Sequence, residues 1–238
     1  LVSANGGGIS LTKEEIAALR EQINGYLENQ QAAKRYERDA TYWLAMAENK
    51  EDRVGLTTEV KGFADGLSLT EFMEASEYER MTGQAANLKP GQVLVLTTKE
   101  KPYGYDTIRF GDAVSCEVKH MENAQEDTVE SINVVYDTRI IVFADREEAR
   151  AAYVAVTGKT PAGYSWNYQI DLMGDAKQQI QIGQGIRDIV DQAHCDGYVE
   201  VREDNKDSLY KMYGSIMFLG IFVGTLFLMG AVMIIYYK

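Results

Sequence analysis

Residues 212–237, MYGSIMFLGIFVGTLFLMGAVMIIYY, contain no Asp, Glu, Lys, Arg or His. At about 1.5 Å rise per residue the run makes a helix of roughly 39 Å, longer than the ~30 Å hydrocarbon core of a bilayer and able to cross it with some tilt. Twelve of its residues are Leu, Ile, Val or Phe. At roughly 0.3–0.6 kcal/mol each, their insertion is favoured by about 5 kcal/mol. A buried helix in a large soluble core is the competing reading, but so long an uncharged run exceeds ordinary core helices. Tyr210 and Tyr213 flank one end and Tyr236 and Tyr237 the other, where amphipathic rings suit the two headgroup zones. Gly220 and Gly224 form a small-xxx-small pair. Lipid gives helices no hydrophobic drive to associate, so this pair predicts a transmembrane packing face. Glycine is also simply common in membrane helices.

Working outward, residues 209–238 are read as a transmembrane helix and residues 1–208 as an α+β domain before it. The only charged side chains beyond Asp207 are Lys211 and Lys238, so residues 1–208 carry 22 basic and 36 acidic groups, a formal −14. That balance argues against nucleic acid as a partner, because phosphate binding needs a basic face. It permits a cationic ligand, although a merely solvated acidic surface accounts for it as well. The chain opens at Leu1 without Met and closes one residue past the apolar run, and reads as a piece of something larger. Residues 1–4 lack the features of a signal peptide.

Two cysteines, Cys116 and Cys195, make no disulfide framework, and whether they pair stays open. Cys116-x3-His120 and the adjacent His194-Cys195 do not follow a standard zinc spacing. No metal and no cofactor are expected.

The domain is expected to begin with a flexible glycine-rich stretch at residues 5–9. Thr12-Lys-Glu-Glu15 is a capping box, and apolar or small residues at Ile16, Leu19, Ile23, Tyr26, Ala33, Ala40, Leu44 and Ala47 predict one long helix to about residue 47. Strands are expected within residues 54–63, 67–73, 93–96, 114–121 and 132–143, the last broken by a turn at Asp137-Thr138. Ser76-Glu-Tyr-Glu79 reads as a second capping box, opening a short helix that stops at Gly83. Residues 99–112 form a loop or hairpin whose Tyr103, Tyr105 and Phe110 are the candidate ligand-binding aromatics, if they are exposed. Asp145-Arg-Glu-Glu148 starts a helix that ends before Gly158. Residues 164–172 alternate cleanly with period two, which favours a half-buried strand over an aromatic binding platform. An amphipathic helix at 175–192 and a short strand at 197–203 follow, and Asn205 or Asp207 is expected to cap the helix that enters the membrane.

Catalytic motifs are missing. Thr157-Gly158-Lys159-Thr160 imitates the tail of a phosphate loop, but Tyr153 occupies the position of its first glycine. Gly183-x-Gly185 lies inside a helical pattern. There is no Gly-x-Ser-x-Gly and no His-Glu-x-x-His, so no catalytic residue is named and the chain is not expected to be an enzyme.

Two stretches carry a family likeness. Leu209-Tyr210…Gly214…Phe218-Leu219-Gly220-Ile221-Phe222-Val223-Gly224…Phe227…Ile234-Ile235-Tyr236-Tyr237-Lys238 resembles the helix that follows the large extracellular domain of FtsX-like ABC transporter permeases, in particular the bacitracin-export, BceB-type group. Phe72-Met73…Ser76-Glu77-Tyr78-Glu79-Arg80-Met81-Thr82-Gly83 with Leu88-Lys89…Gln92-Val93-Leu94-Val95 resembles that group's strand, short helix and next strand. Together they cover about sixty residues. The first helix and residues 99–143 bring no such likeness. The resemblance implies a multi-pass permease of the cell membrane with residues 1–208 extracellular and Lys238 inside. It also implies a separate ABC ATPase subunit, a sensor histidine kinase partner, and action on a peptide antibiotic or its complex with a lipid pyrophosphate. It carries no site residues. The alternative from another class is a scaffold that transmits ATPase strokes to cell-wall hydrolases or lipoproteins without binding a small ligand.

Overall fold

The computed structural model describes residues 2–4, 11–50, 52–56, 67–97, 103–120, 137–193 and 197–237. The expectations for residues 5–9, 57–63, 121–136, His194 and Cys195 lie outside them. The described elements run β1 (Val2–Ala4), α1 (Lys13–Asn29), β2 (Lys34–Lys50), β3 (Arg53–Leu56), β4 (Leu67–Glu74), α2 (Ala75–Thr82), β5 (Gln92–Thr97) and β6 (Thr107–Phe110). Then come β7 (Val114–Val118), β8 (Asp137–Phe143), α3 (Arg146–Thr157), β9 (Ser165–Leu172), α4 (Ala176–Gln192), β10 (Tyr198–Val199) and α5 (Arg202–Tyr236). The fold is mixed α+β, built on one sheet, with a long apolar C-terminal helix.

The expected helix to residue 47 is half helix and half strand. α1 starts at the Thr12 capping box and buries Ile16, Leu19, Ile23 and Leu27. It ends at Gln30, and Gln31 turns the chain at φ 52°. Residues 34–50 then form a 17-residue strand. Tyr36, Thr41, Tyr42 and Trp43 favour a pleated surface, and the chain alternates there rather than winding. A bulge between Lys34 and Tyr36 resets the alternation, so Lys34 reaches the Glu37 carboxylate at 3.1 Å on the same side of the sheet.

β2 organises the sheet. Its first half pairs with β9, from Lys34↔Leu172 to Tyr42↔Ser165. Its second half pairs with β4 and, through a hairpin, with β3. From there the pairings close on themselves: β3 with β6, β6 with β7, β7 with β5, β5 with β8, β8 with β4, and β4 back to β2. α3 touches β2, β3, β4, β6, β7 and β8. It fits because the residues it buries, Ala149, Ala152 and Val156, are small. Against them pack Phe72, Phe110 and Phe143, with ring centroids 5.5–6.1 Å apart. The opposite side of β4, β5 and β8 presents Met73, Leu94, Leu96, Ile140 and Val142 to Tyr78 and Met81 of α2. Val93–Leu96 of β5 and Ile140–Phe143 of β8 are buried on both faces and are accordingly continuous apolar runs, whereas β4 interleaves Thr70 and Glu71 with its apolar residues. Trp166 and Tyr168 of β9 are fully buried in one cluster with α1 and α4, so the alternating stretch is core.

The predicted helix boundaries hold where a cap or glycine sets them. Asp145 and Asp175 each accept a bond from the third residue of their helices, and Gly83 and Gly158 close α2 and α3 with φ near 70°. Three expectations are corrected. α2 begins at Ala75 and uses no side-chain cap; Glu77 instead accepts from the Thr41 amide and Arg80. Asp137 and Thr138 lie within β8 rather than in a turn, paired with Ser68 and Leu69 of β4. α5 begins at Arg202, before Asn205 and Asp207.

In the α2 layer, Glu71 stands opposite Leu44 and Ile140. Burial pushes its carboxyl up to about 7, with the Arg38 guanidinium pulling the other way. Glu71 therefore binds its proton more tightly in the folded chain than in the unfolded one, whose value is near 4.5. Its contribution to stability is fully present below that value and is lost as pH rises through about 7. Glu71→Gln should raise the melting temperature at pH 8 by about 2–8 °C, corresponding to about 1–2 kcal/mol. It should have little effect at pH 4. Equal effects at both pH values would contradict this reading.

Candidate functional site

A groove lies at the foot of α5. It measures about 420 Å³ and is enclosed by the end of β9, the first turns of α4, β10 and the start of α5. Each wall is held by a specific contact. The Gln179 amide donates to the carbonyls of Leu172 at 3.0 Å and Gly174 at 3.2 Å, tying the β9–α4 loop to α4. Arg187 donates to the Val199 carbonyl at 3.0 Å, fixing β10 to the same helix. Val201, which precedes α5, packs against Gly183, where any Cβ would collide with its methyl group. Gly185 likewise leaves room for the Tyr26 hydroxyl of α1. The two glycines that fail as a nucleotide loop thus let α4 approach its neighbours closely.

The groove carries charges of both signs. Arg35 and Asp171 face each other at 3.5 Å across the β2–β9 edge, and Arg202 and Glu203 stand at its rim. Tyr36 is exposed on its wall. From Arg202 to Met212 is about 15 Å along a helix, so the groove stands about that far above the start of the apolar run. That run, Met212–Tyr236, is 25 residues and none of it is buried. The domain and the apolar helix are joined without a break, since α5 is one helix through residues 208 and 209. Nothing in the reading of residues 34–36 as helix pointed to this groove.

The aromatic candidates from residues 99–112 are placed differently from one another. Phe110 is 0% exposed and Tyr103 8%, whereas Tyr105 is 43% exposed. β6 alternates exposed and buried positions, which sends Ile108 and Phe110 inward. Tyr103 donates to the Thr107 carbonyl at 3.0 Å and stacks under the Arg139 guanidinium, 5.3 Å from its ring centre. Burial pushes its phenol up to about 12. Tyr105 alone keeps a free face, beside Tyr103 at 5.4 Å. A Cβ at Gly220 or Gly224 would meet nothing within 4 Å, so both positions lie open on α5.

Among the described residues no group of three or more His, Cys, Asp or Glu could hold a metal ion. Cys116 is buried, and desolvation followed by the Glu148 charge pushes its thiol up to about 11, the opposite of what a nucleophile needs. No protein-family model matches the chain, no curated protein matches it in sequence, and no solved structure matches its fold.

Proposed function

We propose that this chain is the extracellular sensing domain, with the following transmembrane helix, of an FtsX-like permease of the bacitracin-export type. A separate ABC ATPase subunit would supply the energy, and a sensor histidine kinase would read the signal. The observation that carries this reading is the junction at α5. A folded domain ends in a helix that continues, without a hinge, into 25 apolar residues. α4 holds Val201, the residue that leads into α5, against Gly183. A ligand taken by the domain near the outer leaflet would act on the span through α4 and β10. The order β4, α2, β5 also agrees with the strand, helix and strand of the resemblance.

The ligand proposed is a cationic peptide antibiotic, free or held on a lipid pyrophosphate. Its attraction to a domain of formal −14 acts over a Debye length of about 10 Å at 0.1 M salt. Calorimetry of the full chain in nanodiscs against a panel of such peptides tests this. Binding should weaken as salt rises from about 0.05 to 0.5 M. Absence of heat with every peptide, or equal binding of a charge-reversed peptide, would remove the proposal. The same junction suits a second reading, in which α5 carries ATPase strokes outward to a cell-wall hydrolase or lipoprotein partner. A hydrolase gene beside this one would favour that reading, and a two-component system the first.

A further inference from the structure

A second cavity, of about 500 Å³, opens between the first turns of α1 and α3 and is rimmed by residues 160–163. Its wall contains Trp43 and Tyr164, stacked with centroids 5.2 Å apart and planes 17° from parallel. Tyr164 is 7% exposed, and its buried hydroxyl has no hydrogen-bond partner. Three cations line the space: Lys13, Arg146 and Arg150. Lys13 and Arg146 lie 5.3 and 5.4 Å from the Tyr164 ring centre. Glu14 and Glu147 are also present, and Lys13 is held by Glu74 at 3.1 Å.

Arg146 and Arg150 are the cations of this cavity that are free to take a ligand. Arg20, Arg35, Arg53, Arg80 and Arg109 each pair with a carboxylate. Arg146 and Arg150 have no hydrogen bond or ion pair among the described residues, in a chain of formal −12. They stand four apart on α3, so their side chains project from one face. Two guanidinium forks at this spacing can grip a planar or tetrahedral oxyanion with several parallel hydrogen bonds. The volume falls within the about 300–1,000 Å³ of small-molecule sites.

We propose that this cavity binds an oxyanion-bearing ligand, its carboxylate or phosphate group taken by Arg146 and Arg150 and its flat or apolar remainder laid against the Trp43–Tyr164 pair. The site is distinct from the groove at α5, and its ligand has the opposite charge from a cationic peptide. The failure of either reading therefore leaves the other standing.

Indole proton–nitrogen spectra of the full chain in nanodiscs test it, because the chain has two tryptophans and only Trp43 lines this cavity. Trp166 is fully buried, donates to Asp39 and reports an intact fold. Phenyl phosphate and benzoate are titrated, with phenol as the uncharged control. The Trp43 resonance should shift saturably with at least one oxyanion and not with phenol. The oxyanion that binds more tightly names the head group. Arg146→Gln and Arg150→Gln, both at exposed positions, should each weaken binding by about tenfold or more, the scale of a lost charge-assisted contact, with the Trp166 resonance unmoved. No saturable shift with either oxyanion, an equal response to phenol, or undiminished binding in the double variant would overturn the proposal.

Discussion

Replacing Asp39 with Ala should lower the stability of the folded domain by about 3–5 kcal/mol, the scale for breaking a buried ion pair from one side. Three elements converge on this carboxylate. Arg20 of α1 approaches it with Nε at 2.5 Å, Arg80 of α2 pairs with its other side, and Trp166 of β9 donates its indole N–H at 2.7 Å. The Asp39 side chain is 12% exposed, while those of Arg20 and Arg80 keep 30% and 34%. Water therefore screens part of the loss, which favours the lower end of the range. Removing the carboxylate strands the Arg20 guanidinium and a buried indole donor together, while Arg80 keeps Glu77, and unpaired buried donors cost more than paired ones return. Asp39→Asn keeps an acceptor for Trp166 and should cost less. Thermal unfolding of the full chain, followed by tryptophan fluorescence, should show a fall of about 6–20 °C for Ala at about 2–4 °C per kcal/mol. A fall under about 2 °C, corresponding to less than 1 kcal/mol, would mean that the network contributes little.

Gly111→Ala should cost about 2–5 kcal/mol by a different route. Gly111 begins the turn between β6 and β7 at φ 56°, where an L side chain costs about 1–2 kcal/mol. Its amide donates to the Val54 carbonyl at 2.9 Å, which pins the turn against β3. A Cβ there would run into the backbone carbonyl of Ala155 in α3. Backbone cannot rotate away as a side chain can, so about 1–3 kcal/mol of overpacking is added. Gly83→Ala is the matched comparison, because its φ is 71° but nothing lies within 4 Å of the added atom. The difference in melting temperature between the two variants isolates the α3 contact. Equal losses would mean that α3 does not rest on this turn.

The contrast between α1 and β2 shows what was legible in the chain and what was not. α1 has a capping box and four apolar residues at helical spacing, all of which the fold uses. Nothing between Asn29 and Lys34 announces a stop, because the turn is made by Gln30 and Gln31 rather than by Gly or Pro. The residues that follow are rich in Ala, Glu, Lys and Arg, all compatible with helix, and Ala40, Leu44 and Ala47 fall at helical spacing by coincidence. The β-favouring residues Tyr36, Thr41, Tyr42 and Trp43 are few, and pairing with β9, β4 and β3 carries the strand through the helix-compatible residues on either side of them. β9 was legible because its core residues Trp166 and Tyr168 alternate with the polar Ser165, Asn167 and Gln169. Glycines and Pro102 around Tyr103 and Phe110 suggest a surface loop, whereas Phe110 lies on the inward side of β6 and Tyr103, ahead of that strand, is held by the Thr107 carbonyl and the Arg139 guanidinium. The groove at α5 joins residues 35 and 36 of β2 to short pieces of residues 169–203, and no motif marks that meeting in the sequence.

The length of β2 also bears on how the chain is made. Its second half meets β3 and β4 soon after it emerges, but Asp39 must wait 127 residues for Trp166 and Glu37 waits 131 for Tyr168. At translation speeds of about 5–20 residues per second, that is roughly 6–25 s with half a strand unpaired. An apolar strand left open for so long would invite pairing with the wrong chain. Residues 34–39 instead read Lys-Arg-Tyr-Glu-Arg-Asp, a dense run of charge that acts as a gatekeeper against misassembly. The side chains that disguise this segment as a helix are the ones that protect the nascent chain until its partner arrives.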